Sequence, residues 1–302
     1  MKKYEVIVVG AGPAGLSAAI YTARAGMSTL ILGCEPKISG DYDIDNYFGF
    51  PETITGKELL ERGKRQAKRF GVEMRCDRVL GIHPTAEEDL EIKTETGSVK
   101  ACSIILSTGV SRIRPGIEDL SGYEGKGVSY CVSCDGFFFR NKQVMVVGEG
   151  IFAANQALEL TQYTPHVSIC SQGKPLAMTE PFKDKLKEAG IPIKERKIQR
   201  VEGDDVLERV VYDDGSEEAV DGLFIALGEA SSLDFAYSLG LMRNGVFLQA
   251  DEEQKTNFPG VFAAGDCVGR FLQISVAVGE GAIAGRSAIS YVKQQCRAKQ
   301  QS

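Results

Sequence analysis

The chain has 302 residues, 43% hydrophobic and 25% charged, with a net charge of −6. That is enough for two domains with sizeable cores, and the acidic balance argues against bulk nucleic-acid binding. The opening MKKYEVIVVGAG is a short, glycine-broken apolar run, which reads as a buried strand and not as a signal peptide or membrane span. A cytoplasmic protein without a membrane partner is expected.

In chain order, apolar 6–9 predicts a first strand, followed by the turn Gly10-Ala11-Gly12-Pro13-Ala14-Gly15 and an alanine-rich helix through Arg24. A second strand over 28–32 leads to Glu35. A helix over 56–70, a hairpin turning at Glu95-Thr96-Gly97 and an apolar strand over 104–109 complete this block. The same order then repeats. Strand 144–147, the turn Gly148-Glu149-Gly150, a helix to Leu160 and strand 167–170 are followed by a helix over 180–189. A hairpin turn at Asp213-Asp214-Gly215 and strand 223–228 close the second block. The tail, an apolar strand through 260–264 and a helix over 275–293, follows no third glycine turn and is expected to rejoin the first block. The expected fold class is α/β, with two Rossmann-like, three-layer β/β/α nucleotide-binding domains, the second inserted into the first. Residues 1–112 and 246–302 form one domain in this reading, and 113–245 the other.

The first glycine turn has the full context of a dinucleotide fingerprint: it follows a strand, opens a helix, and has an acid about twenty residues on. Gly10 makes the tight turn, Gly12 admits a pyrophosphate to the backbone, and Gly15 lets helix and strand pack. Pro13 and Ala14 open the helix whose N-terminus stabilises phosphates. Glu35 is suited to accept from adenosine ribose hydroxyls and to repel a 2′-phosphate.

Of the eight cysteines, Cys34, Cys76, Cys102, Cys170, Cys267 and Cys296 stand alone and are expected to be small buried apolar groups. Cys131 and Cys134 form a C-x-x-C pair. With two histidines in the chain a four-ligand zinc site has little to draw on, so redox chemistry is expected and no metal. Asp135 is placed to act as general acid or base, or as a plain capping acid. Phe137, Phe138 and Phe139 read as core.

GAGPAG at 10–15, DNYFGFPE at 45–52, STG at 107–109, CVSCDG at 131–136 and FPGVFAAGD at 258–266 resemble the low-molecular-weight thioredoxin reductases, over nearly the whole chain. The resemblance implies FAD bound by the first turn and Glu35, with Thr108 and Gly109 in the cofactor site. It implies Asp266 on the ribityl or phosphate region, Gln273 beside the isoalloxazine and Asn46 near the flavin. Of the family's usual run after Glu35, the segment PKISGDYDID keeps Gly40. The resemblance also makes Cys131 and Cys134 the dithiol that passes electrons from flavin to thioredoxin or a thioredoxin-like protein. Cys134 then faces the flavin and Cys131 forms the mixed disulfide. A homodimer is usual in the family.

The second turn departs from what NADPH-using members carry. Glu149 stands between its glycines, Phe152 occupies the expected phosphate position, and no arginine lies between Arg140 and Arg196. A carboxylate about 4 Å from a phosphate charge costs about 4 kcal/mol at an effective dielectric of about 20. Each charge-assisted bond lost with the arginines removes about 1.5–3 kcal/mol, and Lys174 is a poor replacement. No acid takes their place to serve NADH. NADPH is therefore not the expected donor, and the chain resembles the ferredoxin-dependent flavin thioredoxin reductases. Ferredoxin is the leading candidate, with Lys57, Arg62, Lys64, Arg65, Lys68 and Arg69 on one predicted helix as a docking face. Three alternatives stand beside it: an NADPH thioredoxin reductase with an atypical pocket, a dithiol oxidase delivering electrons to oxygen, and a non-catalytic redox-sensing flavoprotein.

Overall fold

The structure is a computed structural model and describes residues 1–39, 43–86, 89–109, 116–130, 132–228 and 232–298. It divides into two compact units, 1–111 with 231–302, and 112–230. Among the described residues no helix is long and apolar enough to cross a membrane.

The first unit begins with β1 (Lys3–Val9), α1 (Pro13–Arg24) and β2 (Thr29–Leu32). β1 and β2 run parallel from Val6↔Thr29 to Val9↔Leu32. Val6, Ile7 and Val8 are fully buried, as a parallel strand covered on both faces requires. A small hairpin of β3 (Asp43–Ile44) and β4 (Ile54–Thr55) precedes α2 (Gly56–Arg69), where Thr55 caps the helix by accepting from the Glu58 N–H. β5 (Glu73–Arg75) lies outside β2, and β6 (Val79–Pro84), β7 (Leu90–Thr94) and β8 (Ser98–Leu106) form an antiparallel meander. The sheet order is β5-β2-β1-β8-β7-β6.

In the second unit β9 (Val128–Ser129) leads into α3 (Val132–Asp135), then β10 (Val144–Val147), α4 (Ile151–Leu160), β11 (Val167–Cys170), α5 (Glu180–Glu188) and β12 (Ile193–Lys194). β13 (Ile198–Glu202), β14 (Arg209–Tyr212) and β15 (Glu217–Ala219) make an antiparallel sheet, and β16 (Gly222–Ile225) returns to the main one. That main sheet, β12-β11-β10-β16-β9, is parallel throughout. Met145, Val147, Val210, Tyr212 and Leu223 share one buried cluster of this unit.

The chain returns to the first unit through α6 (Ser232–Leu239), β17 (Arg243–Asn244), β18 (Phe247–Leu248), β19 (Val261–Ala263) and α7 (Ile274–Tyr291). β19 adds to β8 in parallel, so the tail does rejoin the first sheet. The division at 230/231 falls before the boundary expected at 245/246. α6 packs on β6 and β18, and so belongs with the first unit. α7 crosses α1 closely: a Cβ on Gly281 would lie 2.1 Å from the Ala14 carbonyl oxygen, which leaves glycine as the fitting residue.

The cysteines require a correction. Cys34 is bonded to Cys76 and Cys102 to Cys296, so four of the six expected to stand alone are paired. Partners 42 and 194 residues apart leave no local spacing pattern, and strand pairing and helix docking bring them together. Cys170 and Cys267 are free and buried, as expected, and burial pushes both thiols up, Cys267 to about 12.

Candidate functional site

The first glycine turn is built by backbone clearance. Gly10 sits at φ +115°, and a Cβ there would lie 2.3 Å from the Ser107 carbonyl oxygen. A Cβ on Gly15 would lie 2.0 Å from the Gly10 carbonyl oxygen. Gly12 is different. Its added Cβ would meet nothing closer than the Pro36 Cβ at 3.8 Å, and Gly12 is the N-cap of α1 with no side chain capping the helix. Uncapped N–H groups beside open space make a site for an anion.

Around this turn the structure gathers distant residues. Ser107, which sequence reasoning placed in a motif without a role, donates to the carbonyls of Val9 and Gly10 at 3.0 and 3.1 Å and ties β8 to the turn. Thr108 follows, its Oγ1 buried with no partner, and Gly109 lies at φ +68°. Glu35 is exposed just beyond β2, and Asp266 is exposed after Gly265. The Gly265 N–H donates to Glu280 Oε2 at 2.7 Å, and Arg270 donates to Glu280 Oε1 at 3.2 Å. Glu280, 5% exposed, was not a sequence candidate: a buried acid within a helix leaves no local signal. Asn46 Nδ2 donates to Gln273 Oε1 at 2.9 Å, which joins two expected flavin neighbours 227 residues apart. Gly40 lies outside the described residues.

In the second unit Cys131 and the side chain of Cys134 lie outside what is described. Cys134 belongs to α3, whose first N–H, on the buried Val132, is directed at Gln156 Oε1 of α4 at 3.4 Å. Asp135 is held by the Ser129 hydroxyl, which donates to its Oδ2 at 2.6 Å. The phenylalanine triplet corrects an expectation. Phe139 is core, edge-on to Phe224 with ring centroids 5.1 Å apart, while Phe137 and Phe138 are 57% and 70% exposed. The 3₁₀ turn over Gly136–Phe139 spreads the three rings in different directions, so they cannot all point inward.

The second glycine turn keeps the strand–turn–helix shape, with Gly150 as an uncapped N-cap of α4. Its surroundings differ. Lys174 Nζ pairs with Glu149 Oε1 at 3.0 Å, and Glu149 Oε2 is buried without a partner. The Ala177 N–H donates to the Glu149 carbonyl at 2.8 Å, and Gly150 and Ala177 form a parallel bridge. The loop after β11 therefore runs against the turn. Phe152, expected at the phosphate position, is instead 4% exposed and packed inward. Arg196, at the end of the arginine-free span, bonds Asp214 at 2.7 Å and lies over the Tyr212 ring at 3.7 Å.

This fold and these two turns match known proteins along the chain. Residues 4–281 match the family described as pyridine nucleotide-disulphide oxidoreductase. A thioredoxin reductase of Listeria innocua is 35% identical over 97% of this chain and 95% of its own. Among solved structures, the atypical thioredoxin reductase TRi of Desulfovibrio vulgaris Hildenborough is 65% identical, with a TM-score of 0.95 over 97% of this chain and 99% of that one. A ferredoxin-flavin thioredoxin reductase of Clostridium acetobutylicum is 27% identical, with a TM-score of 0.74 over 98% and 100%. The chain belongs to the pyridine nucleotide-disulphide oxidoreductase family, as a flavin-dependent disulfide oxidoreductase of the thioredoxin reductase kind.

Proposed function

We propose that this protein reduces thioredoxin, or a thioredoxin-like protein, through Cys131 and Cys134, and that its electron donor is not NADPH. Bound FAD supplies a two-electron relay between the donor and the dithiol. The residues of the first turn fit it: open backbone over Gly12, an uncapped α1, and the orphaned Thr108 hydroxyl all call for a polar ligand. Gly10, Gly12, Pro13, Ala14, Gly15 and Glu35 would hold the ADP part, with Asn46, Thr108, Gly109, Asp266, Gln273 and the undescribed Gly40 toward the flavin. Glu280 and Ser107 act as positioning residues, the one fixing the Gly265 N–H and the other the Gly10 carbonyl.

At the dithiol, the Cys131 thiolate attacks one sulfur of the thioredoxin disulfide and the other sulfur leaves as a thiolate. Asp135, held at β9 by Ser129, protonates that leaving group. Cys134 then attacks the Cys131 sulfur, which closes the pair and releases the second thioredoxin thiol. The exposed Phe137 and Phe138, just beyond the dithiol, offer apolar surface to the incoming protein.

The observation that carries the donor reading is the Glu149–Lys174 ion pair on the second turn. It puts a carboxylate where a pyrophosphate would lie and spends the cation that could have met one. The 27% identical ferredoxin-flavin relative is consistent with ferredoxin as donor. The basic helix α2 is a candidate docking face, with Glu58 and Glu61 paired to Arg62 and Lys64. Thioredoxin's couple lies near roughly −270 mV, and about 30 mV corresponds to about 1.4 kcal/mol for two electrons, so a low-potential ferredoxin suffices. The anaerobic protein is offered NADPH, NADH and photoreduced ferredoxin separately while flavin bleaching and thioredoxin reduction are followed. Bleaching by ferredoxin with neither nicotinamide active is the expected result. Rapid bleaching by micromolar NADPH would sink it.

A further inference from the structure

The disulfide Cys34–Cys76 stands at the first glycine turn, and the dithiol mechanism makes no use of it. β2 and β5 pair in parallel up to Leu32↔Arg75, and the Gly33 N–H then donates to the Arg75 carbonyl at 3.2 Å. Cys34 follows Gly33 and Cys76 follows Arg75, and the bond between them closes the end of the ladder covalently, Cα to Cα 4.3 Å. The segment it tethers touches the turn on both sides of Glu35. A Cβ on Gly33 would lie 3.2 Å from the Ala11 nitrogen and 3.3 Å from the Gly10 Cα, so backbone packs on backbone there. Pro36 is the residue nearest the open side of Gly12. Glu35 itself is exposed between them.

The two disulfides differ in access. Cys102 is 2% exposed within β8 and its partner Cys296 is half-buried, whereas Cys76 is exposed and its partner Cys34 half-buried. β5 is a three-residue edge strand, and the covalent link adds to the Gly33–Arg75 hydrogen bond at its end. Exposed disulfides are the labile ones, open to thiolate attack at the accessible sulfur.

We propose that Cys34–Cys76 is a second thiol–disulfide exchange site on this chain, opened by a reduced dithiol protein, and that its opening loosens the FAD adenosine site. Reduced thioredoxin, the product of the activity proposed above, is the dithiol at hand. Its thiolate attacks the Cys76 sulfur, and Cys34 leaves as a thiolate and takes a proton. The second thioredoxin thiol then attacks the mixed disulfide, releasing Cys76 as a thiol. Thioredoxin is oxidised by two electrons and the Cys34/Cys76 pair is reduced by two. Untethered, 33–36 must be reordered each time the ribose is gripped, so FAD retention falls as reduced thioredoxin accumulates, and oxidised thioredoxin restores it. The second step rests on the reading of Glu35 as the ribose acceptor.

The test uses the FAD-loaded full chain, wild type and with Cys131 and Cys134 both replaced by Ser to silence the first dithiol. Each is held anaerobically with reduced thioredoxin, quenched with iodoacetamide and peptide-mapped, while released FAD is measured by its fluorescence after ultrafiltration. Alkylation of Cys34 and Cys76, with Cys102 and Cys296 still bonded, is expected together with a rise in the FAD dissociation constant of about tenfold. A Cys34/Cys76 bond that survives reduced thioredoxin overturns the proposal, as does an opened bond with unchanged FAD affinity. Glu35→Ala in the unreduced protein separates the two readings. If it leaves FAD affinity unchanged, the ribose assignment fails, while the exchange reaction still stands or falls on the alkylation map.

Discussion

The two glycine turns start from the same plan: a strand ending in a buried apolar run, 6–9 or 144–147, a glycine as uncapped N-cap, and a helix. In both, the first glycine is imposed by sterics. A Cβ would lie 2.3 Å from a carbonyl oxygen at Gly10 and 2.1 Å from one at Gly148. The difference lies in what stands in front of the N-cap. At the first turn there is open space beside Gly12 and an unpartnered Thr108 hydroxyl. At the second the chain's own Glu149, Lys174 and Ala177 crowd the turn. A fingerprint therefore encodes a packing solution first. Whether it is also a binding site depends on residues that reach it from elsewhere.

The largest expected effect tests what the second turn still does, which is to start the helix that faces the dithiol segment. Replacing either Cys131 or Cys134 by Ser should abolish thioredoxin reduction while the bound-flavin absorbance persists. Turnover that survives would refute the dithiol assignment. Next comes a matched pair at the two N-caps. Gly12→Ala should fold, because its Cβ has room, yet lower FAD affinity about a hundredfold, the loss of one or two charge-assisted hydrogen bonds at about 1.5–3 kcal/mol each. Gly150→Ala should leave FAD affinity unchanged in the same titration. Equal losses at the two positions would mean that the second turn also carries cofactor.

A smaller effect probes the blockade itself. Glu149→Gly removes a carboxylate whose repulsion of a phosphate is about 4 kcal/mol at an effective dielectric of about 20. With partial exposure and the arginines still missing, a gain of about tenfold in NADH or NADPH affinity is expected by calorimetry. No gain would show that the missing cations alone decide the matter. The smallest concerns the outer strands. β5 is anchored through Glu73, whose carboxyl is held at about 2 first by Lys2, then by Tyr4 and Arg75. A depressed carboxyl contributes stability above its unfolded value of 4.5, and that contribution fades as pH falls from there toward about 2. Glu73 is 37% exposed, so the contribution is less than about 1 kcal/mol. Thermal melts of Glu73→Gln against wild type should differ at pH 6 and converge near pH 2. In the second unit the Lys194–Glu218 pair ties the outer strand to β15, so that unit should be indifferent to the Glu73 change.

The sequence by itself determined the duplication, the insertion and both glycine turns. Each rests on short-range physics: apolar runs for buried parallel strands, φ and Cβ clearance for the glycines, and helix starts beside them. It also carried the C-x-x-C pair, because two cysteines two residues apart need no fold to be near each other. Glu149 and the missing arginines already marked the second turn as the doubtful one, and tertiary structure decided what stands in front of each. The Glu149–Lys174 pair spans 25 residues, Asn46 and Gln273 are 227 apart, and the Cys34–Cys76 and Cys102–Cys296 bonds join separate elements. It also buried Phe139 and Phe152 and left Phe137 and Phe138 in solvent. Contacts of that kind are set by how strands and helices dock, a long-range outcome that leaves no periodicity in the chain.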